Sequence, residues 1–372
     1  MKRSFKYRLH PNSHQEQILD SWRRQCGSLY NAALEQRITA YRQQRRSVSR
    51  YDQQVQLTQL RASDPAWSAV PARVQRSALR RVELAYDAFF RRCKKGETPG
   101  FPRFKSARRY DSFSIGVANV HNNRVFVPKL GHVKINLYRP IMGEIKDVVI
   151  RRDAIGKWWV SFQCDLGDAP PKCEVKSKVG IDLGLTTLAT LSTGEEIFNP
   201  RFSKRAADQL ARRQRTLARK ERQSNNRERQ RILVAKAHAH VTNQRLDHAR
   251  KEVKRLYERF DEVCYESLNV AALMRSQFSK SFSDASWGIL LRCLALKAED
   301  AGKHATPKDP RGTSQRCSGC GARVPKTLAE RMHRCSHCGL KIGRDHNAAI
   351  NVLSARPVRS GVGGYADVEG EA

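Results

Sequence analysis

Two pairs of cysteines near the C-terminal end of the chain have the spacing of metal ligands. The first pair is Cys317 and Cys320, the second is Cys335 and Cys338, and fourteen residues separate the pairs. Four thiolates arranged in this way can surround one zinc ion, with two ligands from each tight turn. The alternatives are two unrelated pairs of buried cysteines and a redox role, which is less favoured because both pairs would need it. The spacing therefore predicts a structural zinc ribbon over 312–341.

Three acidic residues are the strongest candidates for chemistry. Asp182 lies in an apolar run, Glu266 ends a second apolar run, and Asp345 stands where a helix is predicted to begin. An ionised carboxylate in an apolar strand is costly to bury unless a cation or dense hydrogen bonding compensates it. Asp345 alone could be explained by the helix dipole, which favours an acid in the first turn. Asn347 either supports the same site or is an ordinary helix-start residue.

Together, the three acids have the distribution that a ribonuclease H-like metal site requires. One lies in a strand, one ends a distant strand, and one begins a helix. Oxygen ligands of this kind select Mg²⁺ or Mn²⁺. Two such ions would activate an attacking water and stabilise the leaving oxygen of a phosphodiester. We therefore predict that the acids are metal ligands and not general bases.

The composition indicates a polyanionic partner. The chain has 372 residues, with 70 Lys and Arg against 36 Asp and Glu, which gives a formal net charge of +34. So large a positive charge is typical of proteins that bind nucleic acid. No run of eighteen apolar residues exists, so no membrane-spanning segment is expected. No apolar stretch follows the basic N-terminus, so we expect no secretion signal, and the unpaired pattern of the other cysteines favours a reducing, cytoplasmic location.

The first part of the chain is predicted to be a β-rich domain with an inserted helical block. Alternation over 4–9 predicts a strand, and an apolar stripe that starts at residue 14 predicts buried helices up to about residue 99. Strand patterns return between 110 and 166, where Asp153–Lys157 separates two apolar runs as in a hairpin. These strands and the N-terminal one predict a small sheet or barrel.

The segment Gly96–Arg109 has a different character from its neighbours. Its two prolines and two glycines exclude a regular helix, and Phe101 and Phe104 alternate with basic residues. Such a segment could stack on nucleobases while its cations hold phosphates. It could equally be an ordinary inter-domain linker.

The second half of the chain is predicted to be an α/β domain. A buried strand, a tight turn and a second strand are expected from residue 178, another strand over 261–270, and a helix over 286–301. The strongly basic region 203–259 predicts a long helical stretch and favours contact with nucleic acid. The tail, 357–372, is rich in glycine and is predicted to be disordered.

Four motifs, in this order, resemble those of the TnpB family, transposon-encoded relatives of the type V CRISPR effector nucleases. They are Gly-Ile-Asp-Leu-Gly at 180–184, Tyr-Glu-Ser-Leu-Asn-Val at 265–270, Thr-Ser-Gln-Arg-Cys-Ser-Gly-Cys-Gly at 313–321 and Arg-Asp-His-Asn-Ala-Ala-Ile-Asn at 344–351. The segments 7–12, 30–34 and 100–105 are also similar to that family. The resemblance runs from the start of the chain to about residue 356.

The resemblance implies a multidomain α+β fold. A wedge β-barrel would comprise 1–10 and 100–170, with a helical recognition lobe inserted over 11–99. An RNase H-like α/β RuvC nuclease domain would comprise 176–311 and 342–356, interrupted by the zinc ribbon.

The resemblance also implies an activity and its ligands. The expected function is that of an RNA-guided DNA endonuclease that uses a transposon-derived guide RNA and cuts target DNA beside a short flanking motif. Guide RNA and target DNA would be the partners, with no membrane involved and a cytoplasmic, nucleoid-associated location. On that pattern Asp182, Glu266 and Asp345 bind Mg²⁺ or Mn²⁺, and the four cysteines bind Zn²⁺.

Two positions depart from the family's pattern, and two other functions stay open. Gly343 stands where the family often has an aspartate, and Ser267 where an Asp or Asn is frequent. One alternative function is an RNA-guided DNA-binding repressor without cleavage, which the presence of all three acids disfavours. The other is a cut-and-paste DNA transposase, which the lack of a convincing N-terminal helix-turn-helix disfavours.

Overall fold

A computed structural model describes residues 1–269, 273, 275, 279–327 and 330–358. The chain divides into two compact units, Met1–Asp168 and Ala169–Ala372. No helix within these described ranges is long and apolar enough to cross a membrane. The tail that was predicted to be disordered lies outside the described residues from position 359 onward.

Seven antiparallel strands form one sheet in the first unit. They are β1 (Lys2–His10), β2 (Ser112–Gly116), β3 (Val120–His121), β4 (Arg124–Val127), β5 (Gly131–Asn136), β6 (Glu144–Arg152) and β7 (Trp158–Asp165). The strand order is β2-β6-β7-β1-β5-β4-β3, so the N-terminal strand lies inside the sheet and the predicted β6–β7 hairpin is present. Because β2 and β3 end this order without pairing with each other, closure into a barrel stays a prediction.

Four helices are inserted between β1 and β2. They are α1 (Ser13–Gln44), α2 (Arg50–Ser63), α3 (Pro65–Ser68) and α4 (Ala72–Lys94). A capping box starts α1, because the Asn12 side chain accepts from the Gln15 amide and the Gln15 side chain accepts from the Asn12 amide. The buried stripe of α1 shares one apolar core with the sheet, for example where Trp22 meets Phe113 edge to face. The helices and the sheet therefore form one compact unit, and the predicted boundaries between wedge and lobe stay predictions.

The second unit is built on a mixed five-stranded sheet. Its strands are β8 (Lys178–Leu183), β9 (Ala189–Leu191), β10 (Glu196–Ile197), β11 (Glu262–Glu266) and β12 (His304–Lys308). The order is β10-β9-β8-β11-β12, with β8, β11 and β12 parallel and with β9 and β10 antiparallel to their neighbours. A small separate hairpin pairs β13 (Met332–Arg334) with β14 (Lys341–Gly343).

Five helices lie among the described residues of the second unit. They are α5 (Phe202–Ala218), α6 (Asn225–Arg259), α7 (Ser279–Ala285), α8 (Trp287–Asp300) and α9 (Arg344–Ser354). The predicted helix over 286–301 is confirmed as α8. The predicted long helical region over 203–259 is present as two helices, α5 and α6. Ser224 caps the start of α6 by accepting from the Arg227 amide.

Alternation along β8 separates the two faces of the sheet. Val179, Ile181 and Leu183 belong to the apolar core that contains residues of α6 and α8. The intervening Gly180 and Asp182 point to the opposite face, where a Cβ on Gly180 would meet the backbone of α9. The sheet therefore lies between α6 and α8 on one side and α9 on the other.

Candidate metal centres

The four predicted zinc ligands come together in the structure. The Sγ atoms of Cys317 and Cys338 are 3.6 Å apart, as are those of Cys320 and Cys335, and all four lie within 4.8 Å of one another. A zinc ion bound at about 2.3 Å from each of four sulfurs would hold them about 3.8 Å apart. The distances between the four sulfurs are therefore compatible with a tetrahedral zinc site.

The buried side chain of Asn347 fastens the first cysteine turn to helix α9. Its Oδ1 accepts from the Ser318 amide at 2.9 Å, and its Nδ2 donates to the Arg316 carbonyl at 2.7 Å. Asn351, one turn later, also donates to the Arg316 carbonyl. Asn347 is fully buried, so these bonds satisfy polar groups that water does not reach. Asn347 lies in the first turn of α9 and joins the ribbon to that helix, whereas its support of the acidic site stays a prediction.

The register of two parallel strands places Asp182 beside Glu266. In the β8–β11 pair Ile181 lies opposite Tyr265, so the next residue of each strand occupies the next rung on the opposite face. Both carboxylates end up at the same edge of the sheet, although 84 positions separate Ile181 from Tyr265 in the register. Only the tertiary fold brings these two acids together.

Gly180 lets helix α9 approach the same face of the sheet. A Cβ at this position would lie 2.2 Å from the Ala349 carbonyl oxygen and 2.9 Å from the Leu353 amide, which no side chain can occupy. Two residues along β8, from Gly180 to Asp182, span about 6.6 Å. Four residues back along α9, from Ala349 to Asp345, span about 6 Å. Asp345 acts electrostatically on Asp182, so α9 runs back from this contact toward Asp182 and brings the two acids to a similar level.

The raised pKa of Asp182 is consistent with the proximity of the other two acids. Burial raises the pKa of the Asp182 carboxyl to about 8, and repulsion from Glu266 and then from Asp345 adds to the rise. Burial also raises the pKa of Glu266, against a hydrogen bond that lowers it. Arg344 is an ion-pair partner of Asp345 at 3.1 Å. Buried acids that repel one another are stabilised in their ionised forms by a cation held between them, so the site suits a divalent metal.

The three carboxylates are spaced more widely than the four sulfurs. Among the residues that the structure describes, the cysteine quartet is the tightest group of three or more such ligands. The three acids therefore share one face of the sheet, but as a looser group than the four cysteines.

Thr313 connects Glu266 to helix α9, a role that the sequence did not reveal. Its hydroxyl donates to Glu266 Oε1, and its carbonyl accepts from Asn351 Nδ2 of α9 at 2.7 Å. The side chain is buried, and it lies four residues before Cys317, the first of the four predicted zinc ligands. The hydroxyl therefore orients one oxygen of Glu266 and leaves the other available to a ligand.

Replacing Thr313 by valine is expected to weaken metal binding at the carboxylates. Valine keeps the shape but removes the donor to Glu266, and loss of a partner that orients a metal ligand typically costs about 10- to 100-fold in metal affinity. The Mg²⁺ concentration that gives half-maximal activity, and Mn²⁺ binding without substrate, measure the change. Thr313→Ser keeps the hydroxyl and should restore both values, whereas equal metal dependence in all three proteins would contradict the assignment.

The metal-free protein should lose stability as the pH rises from about 4 to about 8. Asp182 has a pKa of about 8 in the folded chain against 3.8 for the free side chain, so the folded state keeps a proton that the unfolded state has released. Stability from this group is complete below pH 4 and falls by up to about 1.4 kcal/mol per pH unit above it. The free energy of unfolding in urea is measured at several pH values for the wild type and for Asp182→Asn, in magnesium-free buffer without chelator. The difference between the two proteins gives the pH dependence that Asp182 contributes.

If the free energy of unfolding depends on pH in the same way in both proteins, Asp182 is not a buried acid of raised pKa. Added Mg²⁺ should flatten the slope of the wild type and leave that of Asp182→Asn unchanged, because a bound cation favours the ionised carboxylate.

Gly343 and Ser267 are the two positions that depart from the family's motifs. A Cβ at Gly343 would meet only the His346 Cβ, at 3.8 Å, so space does not require glycine there. Ser267 follows β11 and donates its amide to the Lys308 carbonyl at 2.9 Å. Both positions border the acids without disturbing the elements that carry them.

Three family models match parts of the chain. One described as "Probable transposase" matches residues 161–277, and one described as "Cas12f1-like, TNB domain" matches 287–352, which includes the ribbon and α9. A third, described as a helix-turn-helix domain, matches 1–46. In the structure that segment is strand β1 followed by the single helix α1, so it is not a helix-turn-helix.

Relatives and a solved structure cover nearly the whole chain. A Streptomyces pristinaespiralis protein named as an RNA-guided DNA endonuclease is 32% identical over 98% of this chain and 91% of its own length. The InsQ protein of Escherichia coli K12, with the same activity in its name, is 30% identical over 95% of this chain and 93% of its own. The cryo-EM structure of a Cas12f1–sgRNA–target DNA complex superposes with a TM-score of 0.58 at 13% identity, over 92% of this chain and 83% of that one.

The comparisons show both the fold and the family of this chain. The structural match shows the multidomain α+β fold of a Cas12f1-type protein. The two relatives show more, because both align along almost their full lengths. The chain belongs to the TnpB family of RNA-guided DNA endonucleases, which confirms the resemblance seen in the motifs.

Proposed function

We propose that this protein cleaves target DNA under the direction of a transposon-derived guide RNA, beside a short flanking motif. The observation that carries the proposal is the convergence of Asp182, Glu266 and Asp345 on one face of the second unit's sheet. Membership of a family whose curated relatives are named as RNA-guided DNA endonucleases supports it. The strand order β10-β9-β8-β11-β12 supports our inference of an RNase H-like RuvC domain.

The three acids would hold Mg²⁺ or Mn²⁺. Two bound ions supply an activated water and stabilise the leaving 3′ oxygen of a phosphodiester. The chain's own residues prepare this site before any ion binds. The β8–β11 register sets Asp182 beside Glu266, the close contact at Gly180 brings Asp345 to them, and Thr313 orients Glu266.

The four cysteines would hold Zn²⁺ as a structural ion. Four sulfur ligands close the coordination sphere, so such a site stabilises a fold and leaves no position for a substrate. Asn347 and Asn351 carry this stability to α9, the helix that bears Asp345. We infer that the ribbon positions the catalytic acids and does not itself take part in cleavage.

Sequence specificity would come from base pairing between guide RNA and target. The protein then needs to hold nucleic acid mainly by its backbone, for which a net charge of +34 is suited. We propose that 1–10 with 100–170 form the wedge domain and 11–99 the recognition lobe of this assembly. With DNA as the substrate, we place the protein at the nucleoid, in the cytoplasm.

Cleavage of matched plasmids tests the proposal. The protein is purified with its co-expressed RNA and incubated, with and without Mg²⁺, with plasmids that carry a guide-matched target, a mismatched target or none. We expect cutting only of the matched plasmid and only with Mg²⁺. Removing the RNA with ribonuclease before assembly should abolish it.

The same experiment separates the other two functions. Guide-dependent binding without cutting would identify an RNA-guided DNA-binding repressor. Cutting at transposon ends without any RNA would identify a transposase. Either outcome would overturn the proposed activity.

A further inference from the structure

A cluster of aromatic rings at the surface of the first unit comprises three residues of α4 and one of the loop that follows it. Phe101 meets Tyr86 and Phe89 edge to face, with ring centroids 5.9 and 5.4 Å apart. Phe90 stacks on Tyr86 at 6.1 Å and contacts Phe89 at 5.2 Å. These four residues, Tyr86, Phe89, Phe90 and Phe101, are called the aromatic surface below.

Packing within the cluster leaves two rings half open to solvent. Phe90 is 54% exposed and Phe101 is 49% exposed. Phe104, in the same loop, is 53% exposed. Exposed phenylalanines grouped in this way are uncommon on a protein that works without a partner, and they mark a surface that another molecule covers.

The loop that carries Phe101 is fixed to α1 and is not a slack linker. Asn31 donates to the Lys105 carbonyl and accepts from the Lys105 amide, both at 2.9 Å. The Tyr30 hydroxyl also donates to the Arg103 carbonyl at 3.3 Å. This backbone pairing presents Phe101 and Phe104 in a defined position, which disfavours the linker interpretation of Gly96–Arg109.

The charge around the aromatic surface is strongly positive. The segment 91–109 contains eight Lys and Arg and a single acid, Glu97. Six of these cations are exposed and form no ion pair with any residue that the structure describes: Arg91, Arg92, Lys94, Lys95, Arg103 and Arg109. Aromatic faces for bases, with cations for the adjoining phosphates, are the pattern of a single-stranded nucleic-acid site.

We propose that the aromatic surface stacks unpaired bases of the guide RNA while the cations of 91–109 hold the adjoining phosphates. The proposal rests on the proposed function and names a binding surface for its RNA partner. RNA is the occupant because structured RNA offers unpaired bases in loops and bulges before any DNA arrives.

The test separates stacking from simple packing by substituting the two exposed rings. Phe90→Leu with Phe101→Leu keeps apolar volume but removes the π faces, whereas Phe90→Tyr with Phe101→Tyr keeps them. We expect the Leu pair to weaken binding of the guide RNA by about tenfold or more, and the Tyr pair to bind as the wild type. Tyr51→Ala, at an exposed aromatic residue outside the aromatic surface, is the matched control and should bind normally.

Salt dependence separates stacking from charge. Affinity for the guide RNA is measured from 50 to 300 mM salt for each of these proteins and for a charge variant that combines Arg92→Gln, Lys95→Gln and Arg103→Gln. The affinity of the charge variant should fall less steeply with salt concentration, because fewer counterions are released. The Leu pair should lose affinity with an unchanged slope. Thermal unfolding of the RNA-free proteins checks that each variant is folded.

Three outcomes would overturn the proposal. Normal RNA affinity in the folded Leu pair would show that the rings only pin the loop. Equal losses in the Leu and Tyr pairs would show a packing role. Normal RNA affinity with weakened capture of target DNA by the RNA-loaded complex would assign the surface to DNA. In each case guide-dependent cutting by the wild type would persist, whereas its absence would count against the proposed function itself.

Discussion

Asp182→Asn is expected to abolish DNA cutting while guide-directed DNA binding survives. The substitution keeps the size of the side chain but removes the charge at the centre of the three acids, where Glu266 and Asp345 both act on it. Removing a single group that stabilises developing charge costs about 10²- to 10³-fold in rate, and a shared metal ligand should cost at least as much. Initial rates of plasmid cutting and gel-shift affinity for matched DNA, measured on the same RNA-loaded preparation, give the two values.

The substitution should also stabilise the protein when no magnesium is present. An asparagine avoids the cost of ionising a buried acid near two others, so the melting temperature of Asp182→Asn should exceed that of the wild type at pH 8. Higher stability together with lost cutting would show that the acids are retained for chemistry and not for folding.

Glu195→Gln is the matched control for this experiment. Glu195 is an exposed acid in the same unit, and it pairs with Arg259 at 2.6 Å. Surface ion pairs contribute about 0–1 kcal/mol, so this variant should cut and melt like the wild type. Cutting by Asp182→Asn at more than about a tenth of the wild-type rate would remove Asp182 from the metal site.

The acids illustrate what a sequence can and cannot specify. The apolar run around Asp182 predicted a buried strand, and the position of Asp345 predicted a helix start, because both signals are local. The adjacency of Asp182 and Glu266 depends on a strand register between distant segments, which local patterns do not contain. The sequence made that adjacency expected because the three acids have the distribution of a ribonuclease H-like site and because the motifs resemble those of a known family.

Other contacts escaped prediction for identifiable reasons. The sequence does not indicate that Thr313 bonds to Glu266, because the contact depends on how two distant segments of the chain fold together. The break between α5 and α6 did have a signal. Ser224 is followed by two asparagines, and serine is a favoured helix N-cap, but the basic pattern on both sides obscured the boundary.

The ribbon and the acids form one connected arrangement through a short stretch of backbone. The segment from Thr313 to Ser318 contacts Glu266 at one end and carries Cys317 near the other. Asn347 and Asn351 clamp the middle of this segment onto α9. We therefore expect a change at the cysteine cluster to affect Glu266, through Thr313, and Asp345, through α9.

Cys317→Ser is accordingly expected to remove zinc and to reduce cutting by about tenfold or more. The two strands of the ribbon have only three residues each, too few to be stable without support, so the ion must supply much of the local stability. Without it the Thr313 segment loses its anchor, and Glu266 loses the donor that orients it. Metal analysis should show equimolar zinc in the wild type, near-absence in the variant, and normal zinc and cutting in the exposed-cysteine control Cys93→Ser.

Asn347→Ala tests whether the ribbon acts through α9. It leaves all four cysteines in place but removes a fully buried side chain and deprives the half-buried Ser318 amide of its acceptor, at a cost of about 1–3 kcal/mol in the free energy of unfolding. We expect zinc to stay bound while cutting falls and the Mg²⁺ requirement rises, because the clamp between the cysteine turn and the helix of Asp345 is broken. If Asn347→Ala keeps both zinc and full activity, the ribbon does not position the acids through this contact. If Cys317→Ser loses zinc and still cuts normally, the ribbon stabilises only itself.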